Sequence, residues 1–354
     1  MMNTTAKNLA IVLGIFATAI GSTATANTSA QIQFLAQAEG DNAGKIATPV
    51  IRIDGSSTVY PITQAIAKQF QADPNNRGQV EVKISGTTGG FEKFCAGKTD
   101  INDASRPILQ AEMETCRKNG VRYMEFPIAF DALSIAVNPQ NTWAKDITTA
   151  ELKKIWEPAA QGKILRWNQV RSTWPDRPLK LFGAGGKSGT FDYFTEATVG
   201  KARASRKDYT ASEDDEVLVN GINQDSNALG YFGYAYYQEN KSKLKLLAVD
   251  NGNGAILPST QTVEKNQYQP FSRPLFIYVN LRDSSNRKLL SKFVILYINK
   301  VATIADSVGY VPLPEAVRDI NYINFNKGKI GTVFAGKARL NTKISDLLPK
   351  KPEY

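Results

Sequence analysis

Apolar positions along this chain recur at two spacings, and the two spacings alternate. Residues 50–53 are apolar apart from Arg52, and beyond a polar turn Ile62, Ile66 and Phe70 return four residues apart, predicting a strand that feeds an amphipathic helix. Val80, Val82 and Ile84 alternate with Glu81 and Lys83, the period of a strand with one dry face, and Phe91 and Phe94 predict a second helix behind it. The polar stretch 101–107 reads as a loop and 133–137 as a strand. After Asn138 and Pro139 come a helix around 152–156 and a strand at 179–182, then a glycine-rich segment ahead of Phe191, Tyr193 and Phe194. Residues 275–279 predict a further strand and 287–298 a further helix, with no regular internal repeat. Strands alternating with helices point to a mixed or parallel α/β core, in which polar loops at the strand ends are where an anion belongs.

The first residues stand apart from this pattern. Lys7 makes a weakly basic start, and residues 9–20 are apolar but too short and too rich in Ala and Gly for a bilayer span. Ala24-Thr25-Ala26 then offers the small residues that a signal peptidase reads. Residues 1–26 are therefore expected to be a signal peptide, cleaved after Ala26 or alternatively after Ala30, with 27–47 a flexible lead. Of the 354 residues, 42% are hydrophobic and 10% aromatic, enough for a large packed core. Export would carry Cys95 and Cys116 into an oxidising compartment where they can pair, although buried reduced thiols remain the other reading.

With no histidine and two cysteines, the chain lacks the ligands of an ordinary zinc site, so neither metal nor cofactor is expected. The formal charge of +10 favours anionic partners. Its basic residues are scattered and match no nucleic-acid motif, which argues against nucleic acid as the partner. The aromatic run 230–237 reads more readily as packing than as a stacking surface.

Three segments carry the informative chemistry. Ser57 and Thr58 precede Val59-Tyr60-Pro61, Thr87 and Thr88 precede Gly89-Gly90, and Ser188-Gly189-Thr190 precedes Phe191. Hydroxyls donate to an oxyanion, glycine lets the backbone approach it, and the first turn of a helix has N–H groups with no intrahelical partner. Each segment alone is an ordinary turn or cap; together, each following a strand, they suggest a tetrahedral anion held by neutral donors. Arg106 offers a bidentate fork for phosphate oxygens, or else an ion pair with an acidic residue. Asp54, Asp103 and Asp131 are candidates to orient it or to accept the proton of hydrogenphosphate, which sulfate lacks. Gly186-Lys187-Ser188 looks like the end of a nucleotide-binding loop, but Leu181 stands where that motif needs glycine.

The combination of Asp54-Gly55-Ser56-Ser57-Thr58-Val59-Tyr60-Pro61, Ser85-Gly86-Thr87-Thr88-Gly89-Gly90-Phe91, Asp103-Ala104-Ser105-Arg106-Pro107 and Ser188-Gly189-Thr190-Phe191-Asp192-Tyr193-Phe194 closely resembles the PstS-like periplasmic phosphate-binding proteins of bacterial ABC phosphate transporters. The resemblance implies an α/β, two-lobed type II solute-binding architecture with two interlobe crossing segments. Residues 48–137 plus 273–345 would form one lobe, 138–272 the other, and 346–354 a polar tail. It implies phosphate contacts from Thr58, the Val59 backbone, Thr87, Ser188, Gly189 and Thr190, beside Ser57 and Arg106 from the residue reading. The expected function is capture of inorganic phosphate by a monomer and delivery to a membrane permease, without catalysis. Another tetrahedral oxyanion is the alternative ligand, and a secreted phosphatase the alternative class. Two departures bear on the site: Ala184 stands where some relatives have arginine, and Lys187 where others have aspartate.

Overall fold

The computed structural model describes residues 48–281 and 287–347; the expected signal peptide, the lead and most of the polar tail lie outside them. Strand β1 (Val50–Gly55) leads to helix α1 (Tyr60–Ala72), and β2 (Gln79–Ile84) to α2 (Gly86–Cys95). Next come β3 (Ile101–Ala104), α3 (Gln110–Lys118) and the 15-residue strand β4 (Tyr123–Val137). The second half of the fold repeats the strand-to-helix order: β5 (Lys180–Ala184) to α4 (Gly189–Val199), β6 (Thr210–Ser212) to α5 (Asp215–Gln224), β7 (Ala228–Gly233) to α6 (Tyr234–Glu239). The chain then returns through β8 (Ser272–Asn280) to the long helix α7 (Arg287–Ser307).

The main path of the large sheet runs β2-β1-β3-β8-β4-β7-β5-β6. Its outer groups, β2-β1-β3 and β7-β5-β6, are parallel, whereas β8 and β4 are antiparallel to their neighbours. Strand β4 joins the two groups by changing partner midway: Tyr123 to Ala132 pair with β8, and Leu133 to Val137 with β7. The chain therefore leaves one half at Ala132–Leu133 and comes back at Phe271–Ser272, where the Leu133 N–H donates to the Phe271 carbonyl at 2.7 Å.

One apolar core lies mainly in the first half, and a larger one runs from that half through the junction into the other. Ile62, Ile66 and Phe70 form the buried stripe of α1, and Phe70 meets Phe293 of α7 edge-on at 5.3 Å between ring centres. In the other half Trp156 packs edge-on against Phe194, Tyr209 and Tyr231, and Phe194 stacks on Tyr231 at 3.7 Å. The aromatic run 230–237 is thus a buried strand and helix start. Cys95 and Cys116 form a disulfide between α2 and α3.

The stretch 101–107 departs from the loop expected of it. Residues 101–104 are an interior strand between β1 and β8, and Asn102 and Asp103 are buried. Its polarity reflects what its side chains face, not exposure to water. Strand β8 likewise begins earlier than the apolar run suggests, taking in Arg273 and Pro274. Proline is tolerated there because β3 pairs with β8 only from Phe276 onward, so the missing N–H interrupts no ladder on that side.

Candidate functional site

The two halves meet at the carboxyl ends of their parallel strands, where bound ligands of open α/β sheets are generally found. Helices α1, α2 and α4 all begin here, each a few residues beyond a strand end. Their first turns bring the positive ends of three helix dipoles to one place. Helices α2 and α4 start inside the segments that read as loops in the sequence, so Thr87, Gly189 and Thr190 already belong to first helical turns.

The hydroxyls converge across the halves. Thr58 Oγ1 lies 3.2 Å from Thr190 Oγ1, although the two residues are 132 positions apart. Thr87 Oγ1 lies 3.2 Å from Ser105 Oγ and accepts from the Ser105 N–H at 3.1 Å. Gly189 joins these pairs: a Cβ there would come within 2.5 Å of Thr87 Oγ1 and 2.6 Å of Ser105 Oγ. At the edge of the same contact, the Thr88 N–H donates to the Lys187 carbonyl at 2.8 Å. Gly86 makes that approach possible, since it sits at φ +75° and a Cβ would meet the Lys187 carbonyl oxygen at 2.4 Å.

The remaining expected contacts fall on the same lining but have protein partners. Ser188 Oγ caps α4 by accepting from the Thr190 N–H at 3.0 Å. The Val59 N–H donates to the Ser56 carbonyl at 3.2 Å. Ser57 accepts from the Tyr236 hydroxyl at its carbonyl, 2.8 Å away, and its side chain bonds Asp215. Lys187 turns to Glu92 at 2.7 Å on the exposed rim, again pairing opposite halves.

Arg106 has a different setting from the free fork expected of it. Its Nε donates to Asp192 at 2.8 Å, Nη1 to Glu112 at 2.9 Å and the Pro107 carbonyl at 3.0 Å, and Nη2 to Glu112 at 2.7 Å and Thr88 at 2.8 Å. A guanidinium has five N–H donors, and these five acceptors account for all of them. The ion-pair alternative is what this geometry matches, with Glu112 from α3 and Asp192 from α4.

The three candidate carboxylates separate clearly. Asp54 accepts from Ser85 at 2.6 Å and Lys93 at 2.5 Å, and Asp103 bonds Thr63 behind β3, its protonation favoured by burial. Asp131 alone reaches the hydroxyl cluster, through Arg273. Arg273 Nε and Nη2 donate to Asp131 Oδ2 at 3.2 and 3.0 Å, and Nη2 also reaches Thr190 Oγ1 at 2.9 Å and Thr58 Oγ1 at 3.2 Å. Burial pushes the Asp131 carboxyl up to about 6 despite the opposing pull of Arg273. Asp215, at the start of α5, is pushed up to about 7, again by burial, against the Gly233 N–H, Arg273 and Ser57.

Arg273 and Asp215 escaped the reading of the sequence. The signal for Arg273 was present, since a charge within a run as apolar as 271–279 must be paired when buried. Its partner, however, lies 142 residues away.

Two parallel half-sheets, a chain that crosses between them twice and a hydroxyl-lined junction define a two-lobed type II solute-binding protein. Comparison places the chain further: residues 21–300 match the PBP superfamily domain model, and the chain belongs to that family. It is 53% identical over 304 residues to the protein SphX of Synechocystis, covering 86% of this chain and 90% of that one. It is 34% identical to the phosphate-binding protein PstS of Staphylococcus epidermidis, over 78% of this chain and 82% of the relative. Among solved structures, a possible phosphate binding protein from Planctomyces limnophilus superposes with a TM-score of 0.57 at 42% identity, covering 79% of this chain and 98% of that one.

Proposed function

We propose that this chain captures inorganic phosphate in the cleft between its halves and delivers it to the membrane permease of an ABC uptake system. It works as an exported monomer, after cleavage of residues 1–26, and makes or breaks no covalent bond. The observation that carries this reading is the convergence of Thr58, Thr87, Ser105 and Thr190 with three helix starts, drawn from both halves. On capture, the anion's oxygens replace the Thr58–Thr190 and Thr87–Ser105 contacts, joined by Ser57, the Val59 backbone, Ser188 and Gly189. Neutral donors and helix N-termini suit a small oxyanion withdrawn from water.

The moving bodies are the two halves either side of the crossings at 132–133 and 271–272, so that the exchange falls a few residues before the expected boundary at 137–138, and they turn about those paired crossing segments. A phosphatase reading finds little support in the chemistry. Ser188 Oγ is occupied as a helix cap, the chain has no histidine to serve as base, and Asp131 is tied to Arg273. The Staphylococcus epidermidis relative is named a phosphate-binding protein, which points the same way.

Titration calorimetry with phosphate and with sulfate tests the ligand. Phosphate should bind at least about a hundredfold more tightly, because sulfate has no proton for a buried acceptor and leaves it unpaired. Binding of sulfate with no response to phosphate would reject the reading. Restoration of phosphate uptake in a deletion strain only when the permease is also present checks the transport step.

A further inference from the structure

Hydroxyls and helix N-termini alone leave a doubly charged phosphate without a formal counter-charge. We propose that Arg273 supplies it: its guanidinium, held from behind by Asp131 at the floor of the cleft, binds the captured oxyanion, whereas Arg106 ties the two halves together and is not a ligand. This assignment rests on the phosphate reading above.

The first support is position. Arg273 and Asp131 are directly opposite each other in the β4–β8 ladder, next to the points where the chain crosses between halves. Both are fully buried. Strands β4 and β8 pair continuously through this region, so the guanidinium keeps its place whether the halves are apart or together.

The second support is the accounting of donors. Arg273 Nη2 already lies among the Thr58 and Thr190 hydroxyls. Its Nη1 is buried with no hydrogen-bond partner. A desolvated cationic donor without an acceptor is costly, and an oxyanion bonded to the Thr58–Thr190 pair would satisfy it. Asp131 fixes the fork's orientation and, through Oδ1, accepts from the Tyr234 N–H at 3.2 Å, tying the floor to the start of α6.

Arg106 differs on both counts. Glu112 belongs to its own half and Asp192 to the other, so its set of acceptors is completed when the halves meet. Its contribution to affinity is then through closure, as a positioning residue.

The test compares phosphate affinity and phosphate-free melting across variants. Arg273→Gln with Asp131→Asn removes both buried charges together and should fold while binding phosphate about ten- to a hundredfold more weakly, the range for losing a hydrogen bond to a charged group. A folded double variant with unchanged affinity overturns the proposal. If it fails to fold, Arg273→Lys keeps the ion pair but loses the fork, and unchanged affinity there overturns the proposal equally. Arg106→Gln and Asp192→Asn should each weaken binding several-fold, and together no more than either alone. An Arg106 variant that abolishes binding while Arg273 variants retain it reverses the two roles. Wild-type protein that ignores phosphate sinks the underlying reading, and this assignment with it.

Discussion

Gly189→Ala isolates the close approach that brings the hydroxyl pairs together. The added methyl would lie 2.5 Å from Thr87 Oγ1, 2.6 Å from Ser105 Oγ and 3.0 Å from Thr87 Cβ. Neither neighbour is the tip of a long side chain that can swing aside, and Thr87 Oγ1 is further held by the Ser105 N–H. Position 189 begins α4 in one half while Thr87 and Ser105 belong to the other, so the clash arises only when the halves close. Overpacking of this kind costs about 1–3 kcal/mol. All of it should appear as weaker phosphate binding, about five- to 150-fold. In the open arrangement the same substitution favours the helix, because alanine exceeds glycine by up to about 1 kcal/mol in helix propensity. Calorimetry should therefore show reduced affinity, and melting without phosphate an unchanged or slightly raised Tm. Unaltered affinity would refute the geometry, and a Tm falling in step with affinity would refute the assignment of the cost to closure.

Two further outcomes concern stability. Glu125, buried on β4 and bonded by Tyr278 at 2.6 Å and the Val333 N–H at 3.1 Å, has its carboxyl pushed from 4.5 up to about 7 by burial. The folded state therefore holds this proton more tightly than the unfolded chain, and the stability it confers is present below about pH 4.5 and lost as pH rises toward 7, by up to about 3 kcal/mol. Glu125→Gln should reduce that slope in urea unfolding across the range, leaving the part that Asp131 and Asp215 contribute, and match or exceed the wild type at pH 8; an unaltered slope counts against it. The Cys95–Cys116 disulfide closes a loop of 21 positions. Replacing both with serine should cost about 3 kcal/mol on the loop-entropy estimate, and an unchanged urea midpoint would show that α2 and α3 need no crosslink.

Much of the local structure was legible because local physics decides it. The alternation of Val80, Val82 and Ile84 and the stripe of Ile62, Ile66 and Phe70 specify a strand and a helix face whatever surrounds them. The hydroxyl and glycine segments announced strand-to-helix junctions for the same reason. The interior strand Ile101–Ala104 was hidden because its polar residues are acceptable in a core only with neighbouring strands and Thr63 in place. Nothing local to residues 101–107 supplies those partners.

The sequence by itself determined the α/β alternation, the hydroxyl-bearing segments and the cysteines available for pairing, since these follow from short-range periodicity and residue chemistry. Tertiary structure alone decided which charges serve which end. Arg106 meets Asp192 from 86 positions away, and Arg273 meets Asp131 from 142, so their roles depend on strand register and on how the halves join. Electrostatic pairing acts over a few ångströms in space and is indifferent to separation along the chain.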